Sequence, residues 1–106
     1  VKSSFSCMDE PKFLEKMGTI NTDEIILAGI ESHVCVYQTS RDLLAQRKHV
    51  EIVIDSISSR NINNHNIALD RMKMEGVPLT SVEMLLFLLQ KNADGDNFRK
   101  LVNLVK

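Results

Sequence analysis

The chain has 106 residues, 43% hydrophobic and 25% charged, which allows one domain at most and excludes a disordered tail, a collagen-like rod or a disulfide framework. Its formal net charge is −1 with the basic residues scattered, so no nucleic-acid partner is expected. The longest apolar run, residues 84–89, is far too short to span a bilayer, so no membrane partner is expected either.

The chain opens Val1-Lys2-Ser3-Ser4-Phe5, without Met and without a helix or strand leading in, and reads as part of a longer chain. Asp9 followed by Pro11 marks a helix start, with the helix running through Phe13 and Leu14 to Met17 and stopping at Gly18. Glu24-Ile25-Ile26-Leu27-Ala28 is a short continuous apolar run ended by Gly29, as expected of a strand buried on both faces. From about residue 32 to 47, Cys35, Val36, Leu43 and Leu44 recur at the spacing of one amphipathic helix. Val50-Glu51-Ile52-Val53-Ile54 predicts a second strand closed by Asp55.

Residues 63–75 carry Ile67, Ala68, Met72 and Met74 at helical spacing, with Gly76 as the stop. Val77-Pro78-Leu79 predicts a brief third strand. Thr80-Ser81-Val82-Glu83 matches a capping box ahead of the apolar helix 84–89. After the turn at residues 93–96, Phe98, Leu101, Val102 and Val105 predict a last amphipathic helix. Asn61-Ile62-Asn63-Asn64-His65-Asn66 reads as a loop entering a helix. Strands alternating with helices predict an α/β fold built on a parallel sheet, whose sites form beyond the carboxyl ends of the strands. Three strands are few for this architecture, so an upstream half is expected.

Two cysteines form one disulfide at most, and fourteen acids, five methionines and no secretory signal suit a reducing, cytoplasmic setting. Cys35 falls in or just before the first turn of the helix that follows the first strand. Unpaired N–H groups and the positive helix end stabilise a thiolate there, and the same N–H groups can hold an oxyanion. On spacing alone the commoner reading of Cys35 is a small buried hydrophobe on the inner helix face. Cys7, in a polar stretch, has no base or strand end to activate it, and His33 and His65 read as surface residues. No H-x-H, HExxH or CxxC spacing occurs, so no metal site is expected within this segment.

Gly29-Ile30-Glu31-Ser32-His33-Val34-Cys35-Val36-Tyr37-Gln38-Thr39 resembles the nucleophile motif of the isochorismatase-like hydrolases, a superfamily that includes nicotinamidases and N-carbamoylsarcosine amidohydrolases. Three further blocks agree in order: Lys2-Ser3-Ser4-Phe5-Ser6, Asp55-Ser56-Ile57-Ser58-Ser59-Arg60, and Ala68-Leu69-Asp70-Arg71-Met72 with Gly76 and Thr80-x-x-Glu83. The wording is most similar to that of the eukaryotic isochorismatase domain-containing proteins. The resemblance implies a three-layer α/β/α, Rossmann-like fold with a six-stranded parallel sheet. Residues 1–106 would be roughly its carboxy-terminal half, part of a single domain.

It also implies an Asp-Lys-Cys triad in which Cys35 is the nucleophile and Lys2 the lysine, the Asp lying before Val1. A cis peptide between Ile30 and Glu31 and an oxyanion hole made of the Glu31 and Cys35 N–H groups are implied in the same way. Phe5 and Tyr37 become candidates for lining a pocket, although packing is the commoner role of each. Asp55 could face the site but more commonly caps the loop 56–59, Arg60 could pair with a substrate carboxylate but more commonly forms a structural ion pair, and Glu83 is expected to belong to the capping box. The implied activity is hydrolysis of an amide or related C–N bond in a small molecule, by a homo-oligomer with no cofactor and no metal. A catalytically silent binding protein and a redox-sensing thiol are the other readings.

Overall fold

A computed structural model describes residues 3–106 of the chain. Strand β1 (Glu24–Ile30) pairs in parallel with β2 (His49–Ser58), which pairs in parallel with β3 (Leu79–Thr80), so the strand order is β1-β2-β3. Helix α1 (Pro11–Gly18) precedes the sheet, and α2 (Tyr37–Ala45) and α3 (Ile62–Met74) form the crossovers. Helices α4 (Val82–Gln90) and α5 (Gly95–Val105) close the chain. This is the expected α/β architecture with a parallel sheet.

The first two strands run longer than expected. β1 continues through Gly29, whose φ of 123° favours a residue without Cβ, to Ile30. β2 continues past Asp55 because Ile57 returns to the core, 8% exposed. Leu27 stands opposite Ile52 and Gly29 opposite Ile57, so residues 53–56 of β2 arch out against Ala28 alone. β3 begins only at Leu79, because the Val77 N–H is spent on Met72 O (2.9 Å) and Pro78 has none to give.

β1 is not buried on both faces. Ile25 and Leu27 pack on the core while Ile26 and Ile30 stand open at 55% and 68% exposure, because the described residues place no layer over that side of β1.

The helix boundaries follow local chemistry. Glu10, rather than Asp9, caps α1, its carboxylate accepting the Lys12 N–H at 3.4 Å; Cys7–Asp9 form a separate 3-10 turn capped by Ser6. The Asn61 side chain accepts the Asn64 N–H (3.0 Å) and caps α3. α3 ends in a Schellman closure, Gly76 N–H to Lys73 O and Val77 N–H to Met72 O, with Gly76 at φ 87°. α2 ends with the same pair of bonds, Arg47 N–H to Leu44 O and Lys48 N–H to Leu43 O, but with Arg47 in the left-handed region at φ 61°.

The expected capping box at Thr80 is displaced by one residue. Ser81 caps α4, its hydroxyl accepting the Met84 N–H (3.2 Å), while Thr80 is the last residue of β3 and Glu83 lies in the first helical turn.

The main core joins Val36 and Leu43 from the first crossover, Val50, Ile52 and Ile57 from β2, and Ala68 and Met72 from α3. Val53 points to the opposite face from Ile52, as the strand pleat requires, and is also buried, on the side where α4 contacts β2. Helices therefore lie on both faces of the sheet, and α5 docks on α4 through an edge-to-face contact of Phe98 with Phe87. No helix among the described residues is long and apolar enough to cross a membrane.

Candidate functional site

Glu31 follows β1, and the chain then winds into a π-helical turn, Ser32–Val36, before α2 begins at Tyr37. The single α-helix expected from residue 32 is thus two segments of different pitch. The difference lies in the Glu31 carbonyl, which accepts both the Val34 N–H (3.2 Å) and the Val36 N–H (3.1 Å), the second bond spanning five residues. These two bonds bracket Cys35. Such wider turns are rare and favour functional sites. The peptide bond joining Ile30 to Glu31 is cis.

Cys35 is half-buried, between the buried Ser32 on one side and the buried Val36 on the other. It stands at the carboxyl end of β1, where parallel sheets place their sites. Cys7 is also half-buried and also a free thiol. Its N–H donates to Thr39 Oγ1 at 2.9 Å. Thr39 lies one helical turn beyond Cys35, so this bond ties the segment that holds Cys7 to the start of α2. Lys2 lies outside the described residues. Phe5, on the same segment, is 62% exposed.

Tyr37 packs its ring against the core cluster and donates its hydroxyl to Glu75 Oε1 (3.1 Å), with the Arg71 guanidinium 5.4 Å from the ring centre. It therefore joins α2 to α3.

Three consecutive residues after β1 reach across to the β2–α3 connection and the first turns of α3. Glu31 Oε2 accepts the Arg60 N–H (3.2 Å), with Arg60 Nε 3.9 Å away. Ser32 Oγ and His65 Nδ1 are 2.9 Å apart, as are His33 Nδ1 and Ser59 Oγ. The two histidines, expected at the surface, are instead half-buried and bonded through their side chains. The signal was a serine at each matching position, but nothing in the periodicity pairs Ser32 with His65 across 33 residues. Arg60 forms the expected ion pair, while its backbone makes the shorter bond.

Asp55 does not cap its own loop. It lies within β2, and its carboxylate accepts the Val82 N–H at the start of α4 (3.0 Å).

A cavity of about 540 Å³ lies at the opposite, amino-terminal ends of the strands, lined in part by Thr22, Glu24, Lys48, His49 and Pro78. It lies away from the thiol, so the chemistry is argued from Cys35 and its turn. Among the described residues no three His, Cys, Asp or Glu side chains come together to hold a metal ion.

Residues 1–84 match the family model described as the isochorismatase domain. Isochorismatase domain-containing protein 2 of Danio rerio is 37% identical over 106 residues, covering 98% of this chain and 53% of its own length. A secreted isochorismatase effector, Isc1, of Phytophthora sojae is 40% identical over 82 residues, covering 77% of this chain and 39% of its own. Among solved structures, the MAR1 ribonuclease of Caenorhabditis elegans superposes with a TM-score of 0.81 at 34% identity, over 98% of this chain and 53% of that one. The chain thus spans about half the length of the relatives it matches.

Proposed function

Because the chain belongs to the isochorismatase family, we propose that the protein carrying it is a hydrolase that cleaves an amide or related C–N bond through a thioester on Cys35. The observation that supports this reading is the position of Cys35, a half-buried thiol in a π-helical turn at the carboxyl end of a parallel strand. In the first step the Cys35 thiolate forms a C–S bond to the carbonyl carbon, and the displaced electron pair on oxygen is held by the Glu31 and Cys35 N–H groups. Collapse breaks the C–N bond, and the leaving nitrogen takes a proton from the family's aspartic acid. Water then gives a proton to that carboxylate and adds to the thioester, releasing the acid and the thiolate.

By family register the aspartate precedes Val1, and Lys2 holds the thiolate and its partner acid in place. The assignment of Lys2 rests on that register alone.

The nematode relative is named a ribonuclease, but a net charge of −1 with basic residues scattered along the sequence favours a small molecule over a polynucleotide here. We also infer a cytoplasmic protein, since the composition suits a reducing setting, and a homo-oligomer, since Leu88, Leu89 and Leu104 are exposed.

The test is alkylation of the complete natural protein by iodoacetamide. Cys7 and Cys35 share the same class of exposure, so accessibility alone predicts similar rates. Modification of Cys35 well ahead of Cys7, with loss of activity in Cys35→Ser on an amide panel, is the expected result. Equal rates at the two thiols would overturn the assignment.

A further inference from the structure

The backbone ladder between β1 and β2 ends where Ile30 faces Ser58. From the next residue onward side chains take over, joining the segment after β1 to the β2–α3 connection and the start of α3. Glu31, Ser32 and His33, in immediate succession, engage Arg60, His65 and Ser59 respectively. We propose that this three-point brace, with His65 and Ser32 at its centre, positions the π-helical turn that carries Cys35, making Ser32, His65, His33, Ser59 and the Glu31 carboxylate positioning residues for the thiol chemistry. The inference rests on the nucleophilic role of Cys35.

The central link is the strongest of the three. Ser32 is wholly buried, so its hydroxyl depends on His65 for a partner that water does not replace. The His33–Ser59 link is partly buried, and the histidine is 20% exposed. The Glu31–Arg60 guanidinium contact is the weakest, since Arg60 is 87% exposed and solvent screens it; the bond to the Arg60 N–H carries that point.

The need for a brace follows from the turn itself. A π-helical turn packs less regularly than an α-helical one, and its N–H groups act on a reacting oxygen only when held within a few tenths of an ångström. The turn is followed by α2, but on its other side it has only Glu31 before the strand. The side-chain links fix that free side. They also make the α3 entry, an asparagine-rich loop in sequence, part of the same rigid body.

The test compares iodoacetamide rates at Cys35 and Cys7 in the complete protein and in His65→Ala, Ser32→Ala, the double variant and His65→Asn, whose amide occupies the place of Nδ1. Asp23→Asn, which breaks an ion pair at the far end of the strands, is the control. His65→Ala lowers the Cys35-to-Cys7 ratio by on the order of tenfold, the scale of a small misplacement of a reacting group. His65→Asn recovers most of that loss, the double variant is no worse than His65→Ala, and Asp23→Asn keeps the parent ratio. A parent ratio near one overturns the nucleophile assignment itself. A high parent ratio that His65→Ala leaves unchanged or raises overturns the brace alone, as does failure of His65→Asn to recover. Should Ser32→Ala not fold, the comparison of His65→Ala with His65→Asn decides.

Discussion

The Asp55 carboxylate accepts the Val82 N–H at 3.0 Å, so a residue from the irregular middle of β2 caps the first turn of α4. Ser81 accepts the Met84 N–H from the other side of the same helix start. Two acceptors therefore satisfy donors that a helix of nine residues leaves unpaired. Asp55→Ala is expected to lower stability by about 1 kcal/mol, the usual worth of a cap, and Ser81→Ala by a similar amount. Urea unfolding checks both. A null effect of Asp55→Ala would mean that the β2 arch does not hold α4.

Leu43 and Met72 are both fully buried and face each other's helices across the core. Leu43→Ala and Met72→Ala each create a cavity and are expected to cost about 2–5 kcal/mol. The midpoint of denaturant unfolding measures this. A cost well below the range would show that the α2–α3 layer collapses to fill the space.

The two Schellman closures differ in the residue at the left-handed position, Arg47 after α2 and Gly76 after α3. Arg47→Gly is expected to stabilise by up to about 1 kcal/mol, since glycine adopts that φ without a Cβ clash. Gly76→Ala should destabilise by about 1 kcal/mol for the converse reason, as the space around it is open and only the backbone opposes the change. Thermal unfolding reads both, and opposite signs are the signature to look for.

Thr80 Oγ1 is buried in β3 with no hydrogen-bond partner among the described residues. Thr80→Val keeps the shape and removes the hydroxyl, and is expected to raise stability by about 1 kcal/mol. A loss instead would reveal a partner for the hydroxyl in the complete protein.

The order of elements was legible because apolar runs of strand length alternate with helical periodicity and two of the helices stop at Gly18 and before Gly76. Cys35 was legible as a thiol at a strand-to-helix turn for the same reason. The π-helical pitch of that turn was not, since Val36 and Leu43 keep the same inner face in either pitch. The arch in β2 was hidden because Asp55 and Ser56 look like a loop until Ile57 is seen to return to the core. The brace was hidden most fully. Ser32 with His65, and His33 with Ser59, are long-range pairs of common polar residues, and only the parallel register of β1 on β2 brings them together. Asp55 was assigned a local role for the same reason, its partner Val82 being 27 residues away.

Among the described residues β1 is an outer strand, with β2 on one side and with Ile26 and Ile30 bare. Parallel strands are normally enclosed, and an unguarded one offers its row of peptide groups to any passing chain. A recombinant preparation limited to these 106 residues would accordingly clump or pair strand to strand.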